Sequence, residues 1–262
     1  MTVLHTQSYG SGPEPALALH CSLAHGGEWA GVMEFLMDDL TLAAPDLPGH
    51  GKSADWDGTG DFMGRCAQAV LAMPEMRSGE PVHLIGHSGG AVIALQVAQA
   101  RPDRVRSLTL IEPTLFAAAK GTPAYDATLD LFAPYETALD AGNLDAASEA
   151  FMAVWGNTDW QGMEPRQRKR IAERIHLIRA SHPALYGDSG GVLDAGRLEA
   201  LDCPVTLIAG MTSPVICRAV IRALAARLPN AESVLVPDAG HMLPVTHPEL
   251  TAALIAGSVS RG

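Results

Sequence analysis

Ser88 lies within Gly86-His87-Ser88-Gly89-Gly90, between a short apolar run at residues 82–85 and an apolar helical pattern at 91–100. A serine hydroxyl is a poor nucleophile at neutral pH. It reacts only where a base can reach it and backbone N–H groups face the developing oxyanion. A strand, a sharp glycine-bounded turn and a helix provide that presentation, so Ser88 is a candidate nucleophile. Gly86 and Gly90 carry no Cβ and let the two elements approach closely around a strained turn. The pentapeptide pattern alone decides little, because Gly187-Asp188-Ser189-Gly190-Gly191 matches it as well. That second match follows Ser181-His182-Pro183-Ala184-Leu185-Tyr186, which has no strand pattern, and no helical apolar period follows it. Residues 187–191 are therefore expected to form a loop.

The elements that must position Ser88 recur along the chain. Short runs rich in Val, Leu, Ile and Ala occur at 16–20, 40–44, 82–85, 107–111, 205–209 and 233–236. Their near-continuous hydrophobicity suits strands buried on both faces. Helical patterns at 62–72, 91–100 and 215–228 separate several of them, which predicts an α/β fold: a mostly parallel central sheet covered by helices on both faces. Residues 114–198 break this rhythm and read as helices only, at 143–155 and 165–181 with less regular turns before them. They are expected to form a helical cap inserted after the strand ending at Ile111, between core segments 1–113 and 199–262. Eight of the thirteen aromatic residues (Phe116, Tyr125, Phe132, Tyr135, Phe151, Trp155, Trp160 and Tyr186) fall in this stretch. Such enrichment suits an apolar lid over a site, or the insertion's own small core.

Composition narrows the function. The 262 residues are 47% apolar, enough for one large core. The net charge of −11 argues against nucleic acid or an anionic membrane surface as partner. The basic cluster from Arg166 to Arg174 reads as the solvated face of an amphipathic helix carrying Ile171, Ile175 and Ile178. Four scattered cysteines and an N-terminus without a charged or apolar leader pattern point to the cytoplasm. No apolar run reaches the length of a membrane span. No Cys-x-x-Cys pair is present, and neither a metal nor a cofactor is expected.

In an open parallel sheet, functional residues gather at the carboxyl ends of the strands. Ser88, Glu112, the Thr212-Ser213 pair and His241 each follow one of the apolar runs. With this order go Leu19-His20 before a variable loop and Trp29, Asp46-Leu47-Pro48-Gly49-His50-Gly51-Lys52-Ser53, Arg101-Pro102-Asp103-Arg104-Val105, Ala239-Gly240-His241 and His247-Pro248-Glu249. Together these motifs resemble the α/β-hydrolase superfamily over essentially the whole chain. The resemblance implies a capped serine hydrolase, with Ser88 as nucleophile and His241 as the base that takes its proton and later returns it. Backbone N–H groups of Ser22 and Gly89 would form the oxyanion hole. Cys21 stands where the family usually carries glycine.

The acid departs from the family pattern. Most members carry Asp after the strand that follows the cap, where this chain has Gly210-Met211-Thr212-Ser213-Pro214. Neither hydroxyl residue can supply the charge that stabilises an imidazolium. Glu112 is the expected substitute, since the family topology sets its strand beside that of Ser88 and some relatives place the acid there. Asp238 is an alternative, and a Ser-His dyad is another. The expected substrate is a small molecule with an apolar acyl group: a carboxylic ester, thioester or lactone. A C–C bond hydrolase and a non-catalytic ligand-binding protein are the other readings, the latter favoured by Ser213.

Overall fold

In the computed structural model, which describes residues 3–77 and 79–262, seven strands form one sheet. They are β1 (Thr6–Tyr9), β2 (Glu14–Leu19), β3 (Leu40–Pro45), β4 (Val82–His87), β5 (Val105–Ile111), β6 (Val205–Gly210) and β7 (Ala231–Val236). Their order across the sheet is β1-β3-β2-β4-β5-β6-β7. All neighbours pair in parallel except β1, which runs antiparallel to β3 at one edge. The six apolar runs are thus six of the strands. β1 carries no apolar run: it lies at one edge of the sheet and none of its residues is fully buried.

Alternation along each strand distributes the core. Leu17, Leu84, Leu110 and Leu207 enter the cluster on one face of the sheet, while Ala18, Ile85, Ile111 and Ile208 enter the cluster on the other. The first cluster includes the helices α2 (Phe62–Leu71), which follows α1 (Ala30–Met33), and, after α3 (Pro74–Arg77), α4 (Gly89–Ala100). Helix α4 is buried from Gly89 to Ala98, which explains why its sequence is apolar on every side.

Between β5 and β6 the chain forms α5 (Pro123–Asp140), α6 (Leu144–Trp155), α7 (Pro165–Arg174) and α8 (His176–Gly187). Thr122 and Asn143 start α5 and α6 by accepting from the N–H groups of Tyr125 and Ala146. The helix expected over 165–181 is two helices. The Tyr135 hydroxyl sits between the carbonyl of Ile175 and the N–H of Arg179, 3.1 Å from each, in place of the direct bond between those groups. A side chain inserted into the hydrogen-bond ladder in this way breaks a helix. After β6 come α9 (Val215–Ala225), α10 (Leu243–Thr246) and α11 (Pro248–Val259). Among the described residues, no helix is long and apolar enough to cross a membrane.

Candidate active site

Ser88 occupies the turn between β4 and α4 at φ 56°, ψ −119°, an uncommon conformation for a residue with a side chain. Two glycines make the turn possible. A Cβ on Gly86 would fall 2.6 Å from the Cα of Ala91, and one on Gly90 2.4 Å from the carbonyl oxygen of Leu19. The N–H of Ser88 bonds to the carbonyl of Ile111 at 2.9 Å, which pins the turn to the end of β5. Gly89 begins α4, so its N–H has no acceptor within the helix.

His241 follows β7 by way of a turn in which the exposed Asp238 has φ 58°. Its Nε2 lies 2.9 Å from Ser88 Oγ, and its Nδ1 faces Glu112 Oε2 at 3.3 Å. Glu112 itself is fully buried just past the end of β5. Its N–H bonds to the carbonyl of Ile208 at 2.7 Å, and its Oε1 accepts the N–H of Gly210 at 2.5 Å and the hydroxyl of Ser213 at 2.6 Å. Burial pushes its pKa up, but His241, Ser213 and Gly210 outweigh that and hold the carboxyl down at about 2. Burial likewise lowers the pKa of His241, and the nearby Glu112 charge only partly opposes it. At neutral pH the site therefore holds a neutral imidazole between a hydroxyl and a carboxylate.

The loop after β2 brings Ser22 to this point, with its Oγ 3.0 Å from where a Cβ on Gly89 would lie. Two histidines shape that loop. The Nδ1–H of His20 donates to the carbonyl of Cys21 at 2.7 Å while its Nε2 accepts the N–H of Leu47 at 2.9 Å. His50 accepts from the N–H of Leu23 at 3.1 Å and donates to the carbonyl of Pro48 at 3.0 Å. Each ring accepts at one nitrogen and is therefore neutral. Burial lowers both pKa values, that of His50 to about 3. Asp46 binds the N–H groups of Gly26 and Lys52, so the Asp46–Ser53 motif serves as a loop clamp.

Helices α6 and α8 close over Ser88. A cavity of about 240 Å³ is lined by Ser22, Ser88, Phe151, Trp155, Ile171 and His241. A narrower one of about 30 Å³ extends past Thr114, Phe116, Phe132, Ser181 and Leu185. Trp155 stands edge-on to His241, with ring centroids 4.7 Å apart. Trp160 instead joins Met163 and Ile171 in a small cluster of its own, so the aromatic residues divide between the site and the local core.

Such a site on such a sheet invites comparison with known proteins. A family model for the alpha/beta hydrolase fold matches residues 15–248. The chain belongs to the α/β-hydrolase family. This α/β hydrolase is 33% identical to a pimeloyl-(acyl-carrier protein) methyl ester esterase of Methylococcus capsulatus, over 96% of each chain. It is 29% identical to the lipase LipV of Mycobacterium tuberculosis, again over 96% of each. A solved hydrolase from Oleispira antarctica has the same fold, with a TM-score of 0.77 at 17% identity over 100% of this chain and 96% of that one. The chain is an esterase-like hydrolase.

Of the residues singled out in the α/β-hydrolase sequence, Ser88, His241, Glu112, Ser22 and Gly89 come together. Ser189 does not: its hydroxyl bonds to Asp61 on the surface. Asp238 is exposed in its turn. The Cys21 thiol is buried, and burial followed by the Glu28 charge raises its pKa well above the ordinary value, so it is no thiolate nucleophile at neutral pH. Sequence reasoning missed Glu28, whose Oε1 bonds to His87, 59 residues away. No local spacing signals that pair.

Proposed function

We propose that this chain hydrolyses small carboxylic esters with apolar acyl groups through an acyl-enzyme on Ser88. The observation that carries the reading is the 2.9 Å contact of Ser88 Oγ with His241 Nε2, whose other ring nitrogen faces the buried Glu112. In this reading His241 takes the serine proton as Oγ forms a bond to the ester carbonyl carbon. The oxyanion is held by the N–H groups of Ser22 and Gly89. Collapse expels the alcohol, which leaves with the proton from His241, and a water activated by the same ring then releases the acid. Glu112 orients the imidazole and balances its charge.

Residues 114–198 act in this reading as a helical cap, its aromatic side chains supplying the apolar walls. The narrow cavity receives the smaller half of the ester and the wider one the longer half. The methyl ester esterase relative supports methyl esters as probes. The free cysteines, three of them buried, fit a reducing cytoplasm. Turnover of p-nitrophenyl acetate and of a series of methyl esters tests the proposal. Ser88→Ala should abolish turnover and labelling by a fluorophosphonate, and activity persisting in that variant would remove Ser88 from the reaction.

A further inference from the structure

Glu28 and His87 lie against each other with their side chains 2% and 0% exposed. His87 Nδ1 contacts Glu28 Oε1, and its Nε2 lies 2.8 Å from the main-chain oxygen of His241. Glu28 Oε2 accepts the N–H of Cys21 at 2.9 Å. The carbonyl of His241 can only accept, so Nε2 carries a proton. Two protonation patterns then remain for the pair: imidazolium with carboxylate, or neutral imidazole with carboxylic acid. Two neighbours favour the first. The Cys21 N–H stabilises a carboxylate at Oε2, and the ionised Glu112 close by stabilises a cation at His87.

We infer that Glu28 and His87 form a buried carboxylate–imidazolium pair that positions the three loops on which the Ser88 reaction depends. The inference rests on the reading of Ser88 and His241 proposed above. His87 immediately precedes Ser88, Cys21 immediately precedes Ser22, and the third partner is the carbonyl of His241 itself. Nucleophile turn, oxyanion loop and base loop are thereby hydrogen-bonded to a single ion pair. Burying two charges is costly unless each is met by hydrogen bonds, and here both ring nitrogens and both carboxylate oxygens have a partner. The remaining titratable neighbours are consistent with this state. His20 is neutral by its hydrogen bonds, the Cys21 thiol stays protonated, and the His241 ring, 5.2 Å from that of His87, is neutral at rest. Burial lowers the pKa of His87, but Glu28 outweighs it and the net shift is upward.

Replacing Glu28 by Gln removes the charge and keeps the shape. The amide of Glu28→Gln cannot accept from both His87 and Cys21, because one of its two heads is a donor, so His87 must either give up its Nδ1 proton, which ends the ion pair, or lose its bond to residue 28. Imidazole ¹H–¹⁵N spectra of the unmodified enzyme at pH 7.5, assigned with His87→Gln, should show two ring N–H protons on His87. A single ring N–H would establish the neutral pair and overturn the inference. Glu28→Gln should lower kcat on p-nitrophenyl acetate by about 10- to 100-fold with KM within about two-fold, the scale of loss for small misplacements in a site. Unchanged kcat would overturn the positioning role. Should Glu28→Gln fail to fold, Glu28→Asp carries the kinetic arm. Its shorter carboxylate keeps the charge but withdraws from Cys21, so a reduced kcat supports the inference and an unreduced one sinks it. Failure of the Ser88 reading is separate: it would appear as turnover surviving in Ser88→Ala, whereas failure here leaves that variant inactive.

Discussion

Ser213 donates its hydroxyl to Glu112 Oε1 at 2.6 Å, across 101 residues of sequence. The side chain at the position where the family resemblance places an aspartate therefore serves the carboxylate that faces His241. In the proposed mechanism the acid lies at the end of β5 rather than β6, and the residue after β6 is a donor that helps hold the Glu112 carboxyl ionised. The proposed acid–base–nucleophile chain is complete without an aspartate after β6.

Glu112→Gln is expected to leave the fold intact and to lower kcat on the order of 10⁴-fold, the loss found when the acid of such a triad is neutralised. The neutral amide cannot balance an imidazolium and can present a donor to His241. Initial rates on p-nitrophenyl acetate measure this, and a rate near that of the unaltered enzyme would take Glu112 out of the mechanism.

Ser213→Asp alone should reduce activity, because a second carboxylate at hydrogen-bond distance from Glu112 forces the pair to share a proton. Combined with Glu112→Gln, the same substitution should restore a large part of the lost kcat by returning the charge to the end of β6. Comparing the two single variants with the double variant isolates this coupling. Additive losses would show that Ser213 does not occupy an acid position.

The pH–rate profile follows from the lowered pKa of His241. The base works only when neutral, so kcat/KM should rise with pH, reach half its maximum below pH 6.5 and stay level above neutrality. Glu112→Gln removes the charge that holds this pKa up, and the residual activity should show its half-maximum at a still lower pH. A half-maximum above pH 7 would contradict the burial argument.

Stability should fall as the solution is acidified through pH 6.5. The pKa values of His20, His50 and His241 are lowered in the fold, so below 6.5 the unfolded chain binds more protons than the native one. His87 acts in the opposite sense: its raised pKa contributes stability that is present in full below 6.5 and lost as pH rises through the raised value. Urea unfolding should show stability falling as pH is lowered from 6.5 to 5, where the His87 contribution is constant and His50, held at about 3, stays neutral in the fold while it is protonated in the unfolded chain. Stability that rises over this range would contradict the lowered values. Glu112, held at about 2, adds a further loss only below the ordinary range for a glutamate.

Phe132→Ala should widen the narrow cavity beside Ser88 and shift selectivity toward esters whose smaller half is bulkier. The ring is 7% exposed and lines that cavity with Phe116 and Leu185. The cost is about 3–5 kcal/mol of stability. Ratios of kcat/KM across methyl, propyl and butyl esters provide the measurement. An unchanged ratio would place the smaller half of the substrate elsewhere.

The legible parts of the sequence were those in which a local pattern dictates structure. Five strands declared themselves because both of their faces are buried, β7 through its Val-Leu-Val run although it lies at the sheet edge, and Ser88 because strand, glycine turn and helix are contiguous. The polar β1 did not, since its place is fixed by pairing with β3 at the sheet edge. Helix α5 is the longest of the inserted helices, yet Pro134 inside it and its mixed surface obscured its period. The break between α7 and α8 depends on the Tyr135 hydroxyl 40 residues away. Glu112 could be named from topology, but the support it receives from Ser213, Gly210 and His241 spans three further elements. Glu28 and His87 were illegible because long-range pairing of buried charges leaves no trace in residue spacing.

Ser88 and Glu112 both sit one residue past the ends of hydrogen-bonded neighbouring strands, whereas His241 arrives on a turn beyond β7. The separation of Ser88 and Glu112 is therefore built into the pleat of the sheet and is insensitive to surface loops. A change in the turn beyond β7 would therefore move His241 relative to two residues that keep their register.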